Sequence, residues 1–92
     1  MHFEYKKKEN CLAYSQIYEY KLTITVREFK THLNGWTVEE NHRYRRPMMT
    51  AIKRGVQIKG ILDKYVITVS FPEDTYVEEK MFFEAWLKNE EN

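Results

Sequence analysis

The sequence predicts an α+β fold, a small antiparallel β-sheet or partial barrel with one amphipathic C-terminal helix packed on it. Three observations carry that expectation. Tyr18, Tyr20, Leu22, Ile24 and Val26 share one parity while Glu19, Lys21, Thr23, Thr25 and Arg27 share the other, the two-residue period of a strand with one wet face. Tyr65 to Phe71 is β-branched and aromatic and runs into Pro72, which removes a ladder donor. Behind it, Thr75-Tyr76-Val77-Glu78 has the spacing of a capping box opening a helix.

The other elements follow in order. His2-Phe3-Glu4-Tyr5 alternates like a short edge strand, and Lys6-Lys7-Lys8-Glu9-Asn10 reads as a solvated turn before a long strand from about Ser15. Residues 27–34 admit two readings. Thr25-x-x-Glu28 with Phe29 and Leu33 one turn apart suits a short helix ended by Asn34-Gly35. The same letters suit a hairpin with arms Arg27–Leu33 and Trp36–Glu39, and the regularity of the preceding strand favours that second reading. Asn41 to Pro47 reads as a loop, Met48 to Ile52 leads through the turn Lys53-Arg54-Gly55 into an alternating strand at Val56–Ile61, and Leu62-Asp63-Lys64 is the next turn.

In the last helix, Tyr76, Phe83 and Leu87 share a stripe flanked by Phe82 and Trp86, while Val77, Met81 and Ala85 fall on the far side. That is more apolar surface than one sheet covers. Tyr76, Phe82, Phe83 and Trp86 are therefore the candidate protein interface. Glu84 and Lys88 have the spacing of an i,i+4 ion pair, and Glu73, Asp74, Glu78 and Glu79 put negative charge at the positive end of the helix.

Composition narrows the class. With 92 residues, 42% apolar and 32% charged, the chain suits one globular domain, 1–92, that buries roughly 60–65% of its unfolded surface. No apolar run reaches the ~18 residues of a membrane span, and the opening residues do not read as a leader, so the expected location is the cytoplasm, or a virion if the gene is viral. Residues 21–64 hold ten Lys/Arg against four Asp/Glu, a net +6, and residues 65–92 hold two against seven, a net −5. Such a chain can pair with copies of itself or meet a polyanion.

Little in the sequence speaks for catalysis. Cys11 is the only cysteine, which forbids an internal disulfide and a soft metal site and reads as a half-buried structural thiol, and His2, His32 and His42 lack metal-ligand spacing. Adjacent Glu39-Glu40 and Glu78-Glu79 do not face each other as an acid/base pair must. Gly35, Gly55 and Gly60 are too dispersed to cradle a phosphate. No catalytic residue, metal ligand, cofactor or small-molecule substrate is expected. The remaining candidate is nucleic acid: Arg43, Arg45, Arg46, Lys53 and Arg54 can contact phosphates while Tyr44 stacks on a base.

Two resemblances add to this. From Arg54-Gly55 the run Val56-Gln57-Ile58-Lys59-Gly60, Asp63, Tyr65, Ile67-Thr68-Val69, Glu73-Asp74 and Phe83-Glu84-Ala85-Trp86 resembles contractile phage tail-tube proteins. It implies antiparallel strands in a sandwich or barrel, flanked by a helix and stacked into assemblies without enzymatic activity. Ile24 to Leu33, with Ile52-Lys53-Arg54-Gly55, looks like the DNA-binding end of prevent-host-death antitoxins. The first implies a phage-encoded structural protein that self-associates or docks in an assembly, the second a nucleic-acid-binding regulator. A small inhibitor of a host enzyme would share the exposed aromatics of the first.

Overall fold

Strand β2 (Ser15–Leu22) carries the alternation into three dimensions, with Tyr18, Tyr20 and Leu22 buried and Glu19 and Lys21 on the other face. The computed structural model describes residues 1–8, 15–43 and 45–90, so the expectations for Cys11, Glu9, Asn10 and Tyr44 lie outside the described residues. β1 (Phe3–Lys7) pairs with β2 at one edge of the sheet. Lys6 and Lys7 thus belong to a strand rather than to the expected turn; charged, they suit an unpaired edge.

Instead of running on to Val26, β2 stops at Leu22, whose N–H donates to the Tyr65 carbonyl at 2.7 Å. The favoured hairpin over 27–39 does not form. Val26–Phe29 is a helical turn, α1, followed by a 3₁₀ turn over Lys30–His32. Thr25 caps it, accepting the Glu28 N–H on Oγ1 at 3.3 Å, and the free N–H groups of Val26 and Arg27 donate to the carbonyls of Lys64 and Leu62. Burial decides for the helix: Val26, Phe29 and Leu33, at helical spacing, are all core residues, whereas a strand would have placed Arg27 and Thr31 beside Phe29. Gly35, at φ +87°, turns the chain into β3.

β3 (Thr37–Asn41), β4 (Met48–Lys53), β5 (Val56–Ile61) and β6 (Val66–Pro72) form an antiparallel meander. β6 then pairs with β2, giving one six-stranded antiparallel sheet in the order β1-β2-β6-β5-β4-β3. It does not close: β1 and β3 are its two outer strands among the described residues, and the result is the expected small antiparallel sheet with a C-terminal helix. One face carries Tyr20, Ile67, Val69, Phe71, Ile58, Met49 and Ala51 into the core. Gly60 leaves the gap that Val26 fills; a Cβ there would stand 2.9 Å from a Val26 methyl.

Helix α2 (Tyr76–Asn89) lies on that core face. Thr75 is its N-cap residue but makes no side-chain capping bond, so the capping box is not realised; acidic Glu78 and Glu79 in the first turn complement the helix dipole instead. Phe83 and Leu87 are buried, and Phe83 meets the rings of Tyr20, Phe71, Trp36 and Trp86 at centroid distances of 5.2–6.4 Å. The expected Glu84–Lys88 pair is replaced: Glu84 turns inward, 2.7 Å from Lys80 Nζ and 2.7 Å from the Tyr20 hydroxyl. Lys80 in turn lies over the rings of Tyr5 and Tyr18, at 4.2 and 4.9 Å, and clamps β1 and β2 to the helix. Among the described residues no helix is long and apolar enough to cross a membrane.

Candidate interaction groove

The four helix residues singled out from the sequence have different fates. Phe83 is 5% exposed and belongs to the core; Tyr76 and Trp86 are half-buried; Phe82 is 61% exposed. Val77 and Met81 extend the outward apolar strip, exposed by 57% and 68%. The surplus read from the helical wheel is thus real, and it faces solvent.

Phe82 also forms one wall of a cavity of about 190 Å³ between α2 and the β4–β5 turn. Trp36, Phe83 and Trp86 supply its other aromatic surfaces, and Val56 closes the strand side. Trp36 reaches it because Gly35 turns the chain back, bringing the indole to 6.2 Å from that of Trp86. At the rim, Lys53 Nζ lies 5.9 Å from the Trp36 ring centroid, and the Arg54 guanidinium lies 5.8 Å from that of Phe82. Glu79 is the one acidic lining residue among those described. It is 9% exposed, and its carboxylate is 3.6 Å from Arg54 Nη2, an ion-pair distance too long for a hydrogen bond.

The backbone at this rim is strained. Arg54 has φ +54° and Gly55 φ +82°, the two left-handed residues of a tight two-residue hairpin. Glycine fits the second position, where a Cβ would approach the Pro72 ring at 3.1 Å. Arginine at the first position is the only non-glycine residue with positive φ among those described.

The basic segment does not form a single surface. Lys53 and Arg54 stand at the groove, whereas Arg43, Arg45 and Arg46 are exposed on the β3–β4 connection. The length of β4 separates the two groups by about 17–20 Å. Near that connection Glu40 holds Lys30 and His42, which keep its carboxyl below the usual range.

Sequence reasoning missed Trp36 and Glu79 as parts of this site. Glu79 carried a signal, since it shares a helical stripe with Tyr76 and Phe83. Trp36 carried none, because only the tertiary fold brings it to α2. Among the described residues, no group of three His, Cys, Asp or Glu is placed to hold a metal ion. No family model matches the chain, and neither the curated proteins nor the solved structures searched contain a match.

Proposed function

We propose that this chain is a small non-enzymatic interaction protein that docks into a larger assembly or onto copies of itself through the outer surface of α2. The observation that carries this reading is the outward strip Val77, Met81 and Phe82, three large apolar side chains left more than half exposed on one helix beside a groove. Val77 and Met81 lie one turn apart on the outer face while Phe82 stands at the groove, and large exposed apolar side chains gathered on one helix support an interaction site. The groove beside α2, about 190 Å³, is smaller than the roughly 300–1,000 Å³ typical of small-molecule sites and suits a single side chain of a partner. A phage structural protein or a small enzyme inhibitor would both use such a surface.

Light scattering and complex formation with Met81→Glu/Phe82→Glu test it. Both side chains are exposed, so unfolding should be almost unchanged. The expected result is loss of the oligomer or of the partner complex. A strict monomer at high concentration, whose partner complex tolerates both substitutions, overturns the reading.

A second reading, nucleic-acid binding, is favoured by one observation: Arg43, Arg45 and Arg46 are exposed on one connection, and no acidic side chain among the described residues forms an ion pair with them. Three phosphate contacts imply a slope of log K against log salt of about −2.7. Absence of DNA or RNA retardation at low salt, or retardation unchanged by Arg45→Ala/Arg46→Ala, rules it out.

A further inference from the structure

Resting on the docking reading above, we propose that the groove takes one large apolar side chain, aromatic or leucine-like, from an acidic segment of a protein partner. Lys53 and Arg54 then bind the carboxylates that flank that anchor.

Size sets the first limit. A cavity of about 190 Å³ admits one large side chain, and its walls of Trp36, Phe82 and Trp86 are apolar. Buried aromatic anchors of this type dominate the energetics of protein interfaces.

Charge sets the second. Two cations stand at the rim and one carboxylate lines the wall. Lys53 has no ion-pair partner among the described residues, and the Arg54 guanidinium spends only a 3.6 Å contact on Glu79, leaving most of its donors free for a bidentate carboxylate. An incoming ammonium or guanidinium would be drawn to Glu79 but must pass both rim cations. An acidic segment instead brings the local charge to zero or below.

Backbone strain is the third, independent observation. An L-residue with a long side chain occupies a left-handed position where asparagine or glycine fits better, and its guanidinium is thereby laid across the groove mouth over Phe82. Strained residues of this sort collect at ligand clamps.

A second copy of the chain is the weaker occupant. Even the whole outer face of the 14-residue α2, about 21 Å long and some 10 Å wide, has a footprint of roughly 200 Å², whereas a stable pair needs about 800 Å² per partner.

The experiment uses the full chain and a panel of synthetic heptapeptides with a central Phe, Leu or Trp between Asp/Glu flanks. Matched peptides carry Lys/Arg flanks or a central Ala. Indole N–H resonances of Trp36 and Trp86 report binding. Acidic peptides with an apolar centre should shift both indoles, bind at least tenfold more tightly than either control, and weaken about tenfold with Lys53→Glu/Arg54→Glu. Equal or tighter binding of basic peptides, or no indole shift by any acidic peptide at millimolar concentration, overturns the proposal. Indole shifts that follow protein concentration alone assign the groove to a second copy and overturn it too. A partner complex that survives Lys53→Glu/Arg54→Glu yet is lost with Met81→Glu/Phe82→Glu leaves docking on α2 standing and removes only this proposal. A complex indifferent to both pairs removes both.

Discussion

The Tyr20 hydroxyl donates a hydrogen bond to Glu84 Oε2 at 2.7 Å, joining the second strand to the last helix across 64 residues of chain. Glu84 also holds Lys80 at 2.7 Å, so one carboxylate serves two donors in a half-buried setting. Tyr20→Phe keeps the ring contacts with Phe3 and Phe83 and removes only the hydroxyl. The expected loss is roughly 1.5 kcal/mol, the low end for a bond to a charged group because Lys80 remains. Urea unfolding checks it; no change would show that the bond is not formed in solution.

The same pair predicts how stability responds to alkali. Burial, then the hydrogen bond and charge of Glu84, push the Tyr20 phenol well above its ordinary 10.0. For Lys80, burial acts downward, but the Glu84 bond and charge outweigh it and raise the group above 10.5. In both cases the folded chain keeps a proton that the unfolded chain releases, so stability is whole below about pH 10 and falls as pH rises beyond it. The limiting slope for one proton is about 1.4 kcal/mol per pH unit. Denaturation at about pH 8 and about pH 11 should show the fall, and Tyr20→Phe should make it shallower.

Gly60→Ala tests the seat of α1. The new methyl would stand 2.9 and 3.1 Å from the two Val26 methyls and 3.3 Å from Ile67 Cγ2. Overpacking of this size costs about 1–3 kcal/mol. Adding Val26→Ala opens room for the methyl, so the double variant should lose less than the two single losses combined, measured by a double-mutant cycle.

Arg54→Asn separates stability from docking. Asparagine tolerates the left-handed conformation that arginine adopts at φ +54°, and what the change gives up is a 3.6 Å contact, too long for a hydrogen bond, between an exposed guanidinium and the buried Glu79, together with the contact with Phe82. Thermal unfolding should improve by the equivalent of roughly 0.5–1 kcal/mol. Binding of acidic peptides in the groove should weaken in the same variant. A less stable Arg54→Asn protein would contradict the strain argument.

Elements that bury one face were legible in the sequence, because period alone reports them: Tyr18-Tyr20-Leu22 and Ile67-Val69-Phe71 are core residues as their parity requires. Period says nothing of partners. That the sixth strand lies beside the second follows from no local pattern, and with it went the position of Trp36 and the division of the basic segment between two ends of β4. Residues 26–33 were misread for a different reason: the regular strand upstream was extended through Val26, although Val26, Phe29 and Leu33 already stood at helical spacing. Thr75 had the letters of a capping box but not its bond, since sequence spacing does not fix the side-chain geometry that a cap needs.

The strand order bears on how the chain folds as it is made. The meander from Thr37 to Pro72 pairs neighbours in sequence and can assemble as it leaves the ribosome. The opening hairpin has no such neighbour: residues 15–21 must wait for 66–72 to be synthesised before their second set of backbone bonds can form. Pairing over so long a separation is slow to close. Until then β2 presents Tyr18 and Tyr20 on an unpaired edge, so a nascent chain stalled before Val66 should be the form of this protein most prone to aggregate. Pulse proteolysis of stalled chains of increasing length should show protection of residues 15–22 appearing only once Pro72 has emerged.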